Sequence, residues 1–480
     1  MFEITGTEIH IDGKTYPLFV AENLISHYPQ YADGLKRAYI IKKYDLGDTI
    51  LTNYQKIGSY FLLTRRKAIL ADEVGLGKTA QSSYAAKYLI EHKLVDRVLF
   101  ITPASLIGQW QKEFETKFIH KDLIELNEGT EDSDYLICNY EKSWKDWFLK
   151  YTNERTAIIM DEATKIKNFF TKTAERLYRN NSKYMFLLTG TPIQNSPVDI
   201  WSLFQQMHLK WLGDYEWFIN QYGVLEDKTN QNGVTFRQIT GWRRLDDLNK
   251  RIYPLLLRRH RKDVLKELPE VQYYDIEVTL SNKEMFVYKK IKDRILNVRG
   301  FDYRIALYTI LKRYLDYPKV LVNTHAIKGL VDKSELNITS SKFVVLQELI
   351  EELFDKKIII YSQFADVVDY LAKELNTPYI YHEGIDDTII NEFKQDGHIL
   401  VTTDKGKYGF NLQEANVIIN YDLPWNPDGL VQREGRIVRR GQDQETIIYT
   451  LQVSAMNFVE DYIRRVLNKK ENIAGEILGD

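Results

Sequence analysis

Short apolar runs alternate with amphipathic stretches along most of the chain. The runs in the first half are residues 68–71, 98–101, 157–160 and 185–188. The rhythm returns at residues 357–361, 399–401, 417–419 and 446–449, and a helical pattern follows Ser454. Apolar strands that alternate with helices are typical of mostly parallel sheets sandwiched by helices. The pattern therefore predicts an α/β protein with two parallel-sheet lobes.

The rest of the chain follows other patterns. Residues 1–50 alternate and turn around Asp12-Gly13, which predicts a small hairpin-bearing N-terminal element. Residues from about 200 to 345 are charged and have helical periodicity. The predicted domains are the N-terminal element at 1–50, a first lobe at 51–225, a helical, basic linking segment at 226–340, and a second lobe at 341–480 that ends in a helix.

Composition limits the chemistry that the chain can support. The 480 residues are 44% hydrophobic and 28% charged with a net charge of −2, so a nucleic-acid site must be a local basic patch. Cys138 is the single cysteine, which excludes an intrachain disulfide and a cysteine-based zinc site. With no secretory signal or membrane-length apolar run, we expect a soluble, intracellular protein. Its compact size suggests the cytoplasm of a prokaryotic or virus-infected cell, with another intracellular location as the alternative.

A glycine-rich segment, residues 72–81, follows the first predicted strand of the first lobe and leads into a helix. Phosphate binding needs backbone N–H donors, a helix N-terminus and a cation. Lys78 would reach the β- and γ-phosphates, and the Thr79 hydroxyl would bind Mg²⁺. Asp72 stands where the strict phosphate-loop motif has its first glycine, so a chance glycine-rich turn is the alternative. The loop residues predicted to bind nucleotide are Gly75, Leu76, Gly77, Lys78, Thr79 and Ala80.

A second chemical motif ends the strand predicted at residues 157–160. Asp161 and Glu162 follow it directly, which places two carboxylates at the carboxyl edge of a sheet, where α/β proteins bind ligands. Asp161 would hold Mg²⁺, and Glu162 would polarise the attacking water. A strand that ends in solvated acids is the alternative. The order and spacing relative to Lys78 favour the catalytic interpretation.

These segments and several others resemble the motifs of superfamily-two helicase-like ATPases of the Swi/Snf double-stranded DNA translocase family. The resemblance includes the order of the motifs, their spacing and their amino-acid sequences. Residues 72–81, 161–164 and 188–195 are similar to motifs I, II and III, and 54–55, 103–110 and 138–141 to the flanking motifs. The second half matches at residues 257–264, 340–343, 359–364, 402–412, 422–427 and 432–442. The resemblance implies two RecA-like lobes, ATP with Mg²⁺, and duplex DNA as partner. It also implies nucleotide contacts from Gln55 and Gly409.

The last of these motifs carries a cluster of arginines. Arg436 and Arg439 are three residues apart, which predicts that they share one face of a helix. Crowded cations need an anion opposite them, and a γ-phosphate held by the other lobe would meet that need. A solvated basic helix or a DNA-binding patch is the alternative.

Sequence-independent movement along DNA requires contacts to backbone phosphates. Short polar side chains at strand ends and a few residues suggested by the resemblance are candidates. The predicted nucleic-acid-binding residues are Thr102, Ser105, Gln194, Ser362, Thr402, Lys407, Trp425 and Asn426. Capping or turn chemistry is the alternative for each serine and threonine, and core packing is the alternative for Trp110 in the segment 103–110.

Two positions depart from the family pattern. Ala163-Thr164 replaces Gly-His after the paired acids, which puts the link from motif II to motif III in doubt. Lys407 stands where the family has the second of two glycines. The resulting hypothesis is that the chain is an ATP hydrolase that moves along duplex DNA. We expect that it does not bind a membrane and that it can act as a monomer. A strand-separating DNA or RNA helicase and an ATP-dependent clamp or remodeller of a DNA-bound protein remain open.

Overall fold

The computed structural model describes residues 2–5, 8–17, 29–31, 50–229, 233–265, 268–297, 301–382, 388–404, 412–439, 441–453 and 459–479. The chain forms two compact units. The first contains Met1–Lys266 and Asn472–Asp480, and the second contains Glu267–Glu471. This division lies inside the segment predicted at residues 226–340.

The N-terminal element is a three-stranded antiparallel sheet of β1 (Phe2–Thr5), β2 (Glu8–Ile11) and β3 (Lys14–Pro17). Asp12 and Gly13 join β2 to β3, with φ angles of 49° and 81°. Two consecutive positive φ angles are the conformation that an Asp-Gly hairpin turn favours. The sequence prediction of a small β element is confirmed.

The first unit is built on a seven-stranded sheet in which every neighbouring pair is parallel. Its order is β12-β4-β9-β8-β5-β7-β6. The strands are β4 (Lys67–Leu70), β5 (Arg97–Thr102), β6 (Ile124–Glu125), β7 (Tyr135–Asn139), β8 (Thr156–Met160), β9 (Tyr184–Leu188) and β12 (Leu256–Leu257). The helices are α1 (Asn53–Arg65), α2 (Lys78–Glu91), α3 (Ile107–Glu113), α4 (Lys172–Tyr178), α5 (Val198–Gln206), α6 (Tyr215–Tyr222), α7 (Leu245–Ile252) and α8 (Arg261–Val264).

The central strands of this sheet are almost completely buried, which explains why their sequences are continuous apolar runs. Leu70 pairs with Leu188, and Met160 pairs with Leu187, so β4, β9 and β8 end at the same edge. The segments that follow these three strands therefore meet there. This geometry confirms the prediction of a parallel sheet and places the glycine-rich loop near the paired acids.

A hairpin that the sequence interpretation did not anticipate follows α6. It consists of β10 (Gly223–Thr229) and β11 (Thr235–Trp242), which pair antiparallel. Most residues of both strands are at least partly exposed. Because neither face is buried, no apolar run marks these strands in a segment that was predicted to be helical.

The second unit contains a six-stranded parallel sheet with the order β13-β18-β17-β14-β16-β15. The strands are β13 (Val271–Glu277), β14 (Ile358–Ser362), β15 (Ile380–Tyr381), β16 (Ile399–Thr403), β17 (Val417–Asn420) and β18 (Thr446–Gln452). The helices are α9 (Asn282–Asn297), α10 (Phe301–Asp316), α11 (Lys333–Leu336), α12 (Ser341–Glu352), α13 (Ala365–Glu374), α14 (Thr388–Asp396), α15 (Pro427–Glu434) and α16 (Val459–Leu478). The last residues of α16 belong to the first unit, where Ile477 is buried in the core.

Buried charges cross the core of the second unit. The Lys342 ammonium donates to Asp316 Oδ1 at 2.9 Å and also contacts Glu460, and all three side chains are fully buried. Lys312 pairs with Asp422 in the same way at 3.2 Å. Burial raises the pKa of Asp316, which Lys342 opposes. These ion pairs join helices α10, α12 and α16 to the end of β17.

We expect Lys342→Met to lower the free energy of unfolding of the second unit by about 3–5 kcal/mol, because it leaves two buried carboxylates without their cation. Chemical denaturation followed by circular dichroism measures this loss. The matched control is Lys183→Met, which removes one member of an exposed pair with Glu154 and should change the free energy by less than about 1 kcal/mol. Equal losses in the two variants would contradict the assignment.

Candidate nucleotide site

A glycine loop joins β4 to α2 at the carboxyl edge of the first sheet. Gly75 and Gly77 have φ angles of 94° and 74°, a region that side-chain-bearing residues rarely adopt. Gly77 is the N-cap of α2, and Lys78 is its first residue. The free N–H groups and positive dipole end of the first turn of α2, which includes Thr79 and Ala80, suit an anion.

The Lys78 side chain folds back over this loop. Its ammonium donates to the carbonyl oxygens of Asp72 at 2.7 Å and Glu73 at 3.3 Å. Burial lowers the pKa of Lys78, while the nearby carboxylates of Glu162 and Asp161 raise it. An anionic phosphate beside the ammonium would stabilise its charged form.

Asp161 is held by donors on three sides. Trp110 Nε1 donates to Asp161 Oδ2 at 2.8 Å, and the Glu162 backbone N–H donates to Oδ1 at 2.9 Å. The Tyr140 hydroxyl donates to the backbone carbonyl of Asp161 at 2.7 Å. Burial raises the pKa of Asp161, against the hydrogen bond from Trp110 and the charge of Lys78. The carboxylate is therefore fixed in place, and a cation would favour its ionised form.

Glu162 lies in a strained backbone conformation. Its φ and ψ angles are both 50°, the left-handed region, although it carries a full side chain. Such outliers cost about 1–3 kcal/mol and concentrate at functional sites. A 3₁₀ turn of residues Ala163–Ile166 begins immediately after it. The strained backbone of Glu162 is consistent with a functional role for this residue.

Gln55 reaches the glycine loop from α1. Its Nε2 donates to the Leu76 carbonyl at 3.3 Å, and its Oε1 accepts from the Thr52 backbone N–H at 3.0 Å. A Cβ added to Gly77 would lie 2.4 Å from Gln55 Nε2. The structure thus brings the predicted glutamine and the predicted glycine into direct contact.

Asp72 is fully buried and has a partner that the sequence interpretation missed. Arg259 Nε and Nη2 donate to the two carboxylate oxygens of Asp72 at 2.9 and 2.5 Å, and Gln81 Nε2 donates at 3.0 Å. This two-point contact is geometrically specific to arginine. The absence of a glycine at position 72 was the one available signal that its side chain has a separate role.

Three other residues of the basic stretch at positions 257–264 contact the glycine loop or the segment after β9. Arg261 and His260 contact the Glu73 carboxylate, through the Arg261 N–H at 2.7 Å and His260 Nδ1 at 2.9 Å. Arg258 Nη1 donates to the Gly190 carbonyl at 3.0 Å. Strand β12 just before them pairs with β4. The basic stretch therefore supports the glycine loop from the edge of the sheet.

Magnesium fits the chemistry of two predicted donors. The Thr79 hydroxyl and the Asp161 carboxylate are oxygen ligands, which Mg²⁺ prefers and commonly completes with water and substrate phosphates. A Cβ at Gly77 would lie 2.4 Å from Gln55 Nε2, so the loop can pack against Gln55 only because residue 77 is glycine. Within the described ranges, no group of three or more His, Cys, Asp or Glu side chains forms a separate metal site.

The predicted nucleic-acid-binding residues of the first unit differ in accessibility. Ser105 is exposed, whereas Thr102 is fully buried at the end of β5. Gln194 is nearly buried, and its Oε1 accepts from the Lys167 ammonium. Lys167 follows the turn of Thr164, so a lysine links the segments after β8 and β9 where the family was expected to use histidine.

Arg436 and Arg439, the arginines predicted to contact the γ-phosphate, lie after the end of helix α15. The expectation that Arg436 and Arg439 share a helix face is wrong, because α15 ends at Glu434 and both lie in the following turns. Gly435, a weak helix former, accounts for this end. Arg433 is instead the structural member of the cluster: it is fully buried and pairs with Asp404 at 2.6 Å.

The remaining predicted contacts of the second unit are partly engaged in its own structure. Ser362 Oγ donates to Asp422 Oδ2 at 2.6 Å, and Thr402 Oγ1 donates to the Tyr381 carbonyl at 2.8 Å. The side-chain oxygen of Asn426 accepts from Lys470 at 2.6 Å, and that lysine also donates to the Trp425 carbonyl. Lys407 and Gly409 lie outside the described residues.

A parallel sheet, a glycine loop with a lysine at a helix start, and paired acids at the same edge define a helicase-like nucleotide hydrolase. Residues 54–316 match the family model of the SNF2-related domain, and residues 341–441 match that of the helicase conserved C-terminal domain. The chain belongs to the SNF2-related family and is an ATP hydrolase of that type.

Three relatives of this chain share 27–29% sequence identity with it. An uncharacterized ATP-dependent helicase, YqhH of Bacillus subtilis, is 29% identical over 446 residues, which cover 86% of this chain and 76% of that protein. Human chromodomain-helicase-DNA-binding protein 1 is 27% identical, over 84% of this chain but 25% of its own length. The chain also spans 28% of snf22, a SWI/SNF chromatin-remodeling complex subunit of Schizosaccharomyces pombe, at 28% identity over 89% of this chain.

Among solved structures, the chain is similar to the Sulfolobus solfataricus SWI2/SNF2 ATPase core in complex with dsDNA. The TM-score is 0.42 at 25% identity, and the match covers 91% of this chain and 96% of that one. Within the part of this chain that the structure describes, no helix is both long enough and apolar enough to cross a membrane.

We expect Gly77→Ala to weaken ATP binding and to destabilise the first unit by about 1–2 kcal/mol, the cost of a left-handed alanine. Nucleotide titration and thermal unfolding measure the two effects. Gly108→Ala is the matched control, because a Cβ at Gly108 meets nothing within 4 Å and alanine favours helix α3 by roughly 0.5–1 kcal/mol. Normal ATP binding by Gly77→Ala would rule out a phosphate at this loop.

Proposed function

We propose that this chain is a motor that couples Mg²⁺-dependent ATP hydrolysis to movement along duplex DNA. The observation that carries the proposal is the convergence of Lys78, Asp161 and Glu162 at one edge of the first parallel sheet. Strand β4, which precedes the loop of Lys78, and strand β8, which precedes Asp161 and Glu162, both pair with β9 and end at this edge. A phosphate loop and a pair of acids in this arrangement can bind a nucleotide and activate water.

Each residue of the site has a separate task in this proposal. Lys78 and the N–H groups that begin α2 bind the phosphates, while Thr79 and Asp161 hold the cation. Mg²⁺ supplies charge neutralisation on the phosphate oxygens when it is bound. Glu162 accepts a proton from the attacking water or orients it. Gln55 contacts the nucleotide base from α1.

Arg436 and Arg439 complete the site in the proposed closed state. Their guanidinium groups stay charged at any physiological pH and form planar contacts to phosphate oxygens. We assign them to the γ-phosphate because hydrolysis develops charge there that a cation stabilises. ATP-driven closure of the two units and reopening after hydrolysis would then alternate their grip on the DNA backbone.

Duplex DNA is the proposed track for two reasons. The family includes a human relative named as a DNA-binding helicase protein, and the Bacillus relative is named an ATP-dependent helicase. In this chain, Ser105 is exposed at the segment that follows β5, where a hydroxyl can contact a backbone phosphate without reading sequence. Ser105 is exposed, and Trp425 and Asn426 are partly exposed, among the predicted contact set.

We expect duplex DNA to raise the ATPase rate more than single-stranded DNA or RNA does, because the proposed grip follows a duplex backbone. The measurement compares the steady-state rates without nucleic acid and with each of the three. Triplex displacement beside fork unwinding then identifies the movement: displacement without unwinding supports translocation. Glu162→Gln, expected to lower hydrolysis roughly 100-fold or more, is the inactive control.

Other outcomes of this comparison identify the alternatives. Unwinding without triplex displacement would show a strand-separating helicase. ATPase activity that does not depend on DNA length would favour a clamp or remodeller with little travel. Stimulation by RNA alone, or full ATPase activity of Lys78→Ala, would overturn the proposal itself.

We expect Arg439→Ala to bind ATP normally and to lose hydrolysis by roughly 10³-fold, the usual contribution of an arginine that contacts the γ-phosphate. Binding of a fluorescent ATP analogue and the ATPase rate are measured separately. The control is Arg465→Ala, which removes an exposed arginine paired with Asp461 on α16. A parallel loss of hydrolysis in both variants, or none in Arg439→Ala, would contradict the role of Arg439.

A further inference from the structure

Trp110 connects two segments that the sequence interpretation treated separately. It lies on α3, five residues after Ser105, and its indole N–H donates to Asp161 Oδ2 at 2.8 Å. The side chain is nearly buried at 3% exposure. The residue that contacts the predicted Mg²⁺ ligand therefore belongs to the segment that carries an exposed candidate DNA contact.

The chemistry of the indole suits this position. An indole N–H is a donor with no acceptor and no charge, so it neither competes for a cation nor replaces one. The backbone N–H of Glu162 holds the other oxygen, Oδ1. With one hydrogen bond to each oxygen, both carboxylate oxygens keep a lone pair for a metal ion while the plane of the carboxylate is fixed.

Aromatic packing fixes the indole in turn. The ring centroids of Trp110 and Phe100 are 5.0 Å apart, and Phe100 is also in contact with Phe114, at 5.5 Å. Phe100 belongs to β5, and the carbonyl of the next residue, Ile101, accepts from the Asp161 N–H at 2.8 Å. A displacement of α3 relative to β5 would therefore be transmitted to the Asp161 carboxylate through the indole.

We propose that Trp110 is a positioning residue that couples DNA contact at residues 103–106 to the orientation of the Mg²⁺ ligand Asp161. DNA bound at Ser105 sets the position of α3, and the indole N–H then holds Asp161 in the orientation that binds the cation. This inference rests on the proposed function. It assigns the stimulation of hydrolysis by DNA to one hydrogen bond.

The test compares the full-length protein with Trp110→Phe, which keeps an aromatic ring and removes the donor. We expect the Mg²⁺ concentration for half-maximal ATPase activity to rise about 10-fold, as for partners of other metal ligands. Stimulation by duplex DNA should fall by a similar factor. Binding of a fluorescent ADP analogue should weaken with Mg²⁺ present and stay unchanged in EDTA, a readout independent of turnover.

Phe114→Leu is the matched control, because it loosens the same aromatic cluster without touching Asp161. We expect it to lower the melting temperature and to keep the wild-type Mg²⁺ dependence and DNA stimulation. Wild-type Mg²⁺ dependence in Trp110→Phe, or the same changes in Phe114→Leu, would overturn the inference. A wild-type protein that duplex DNA does not stimulate would instead refute the proposed function, while the Mg²⁺-dependent ADP binding would still test the role of Trp110.

Discussion

The structure of both units depends on one constraint: each charged side chain that is buried must be paired with an opposite charge. A buried ion is costly unless an opposite charge and hydrogen bonds surround it. Asp72 satisfies this condition with Arg259, and Lys342 does so with Asp316 and Glu460. Lys78 donates to two backbone carbonyls, and the Asp161 carboxylate accepts from an indole and a backbone N–H, so uncharged groups meet both charges. The incompletely compensated pair is the place where an anion and a cation gain most by binding.

The ion pair of Asp72 and Arg259 lies beside Lys78 for a physical reason. Asp72 precedes the glycine loop, and its carboxylate is bound by Arg259, which follows the strand beside β4, while its backbone carbonyl accepts from Lys78. Gln81 of α2 contacts the same carboxylate. A rigid surround allows Gly75 and Gly77 to keep positive φ angles and Glu162 to keep a strained one. The contacts of the surrounding residues stabilise the fold enough for Glu162 to keep its unfavourable backbone conformation.

The fold could be predicted because its signals are local. Buried parallel strands appear as apolar runs, and Asp12-Gly13 favours one type of turn. The hairpin at residues 223–242 was missed because it buries neither face, and the end of α15 was missed because Gly435 stops a pattern that the spacing of Arg436 and Arg439 suggested. At the site, residue chemistry and motif order together led to Lys78, Asp161 and Glu162. The partners Arg259 and Trp110 depend on long-range contacts that spacing does not encode.

These missed partners bear on how the two departures from the family pattern are understood. Thr164 stands where the family has the linking histidine, yet Lys167, just after the turn of Thr164, contacts Gln194. The segments after β8 and β9 are therefore connected through a different residue. Trp110 supplies a second connection, from the segment after β5 to Asp161. Both lead from polar positions at the sheet edge to the paired acids. The absence of the family's histidine at position 164 therefore leaves Asp161 and Glu162 connected to the neighbouring loops. Several loops meet there because the parallel strands end at the same edge of the sheet.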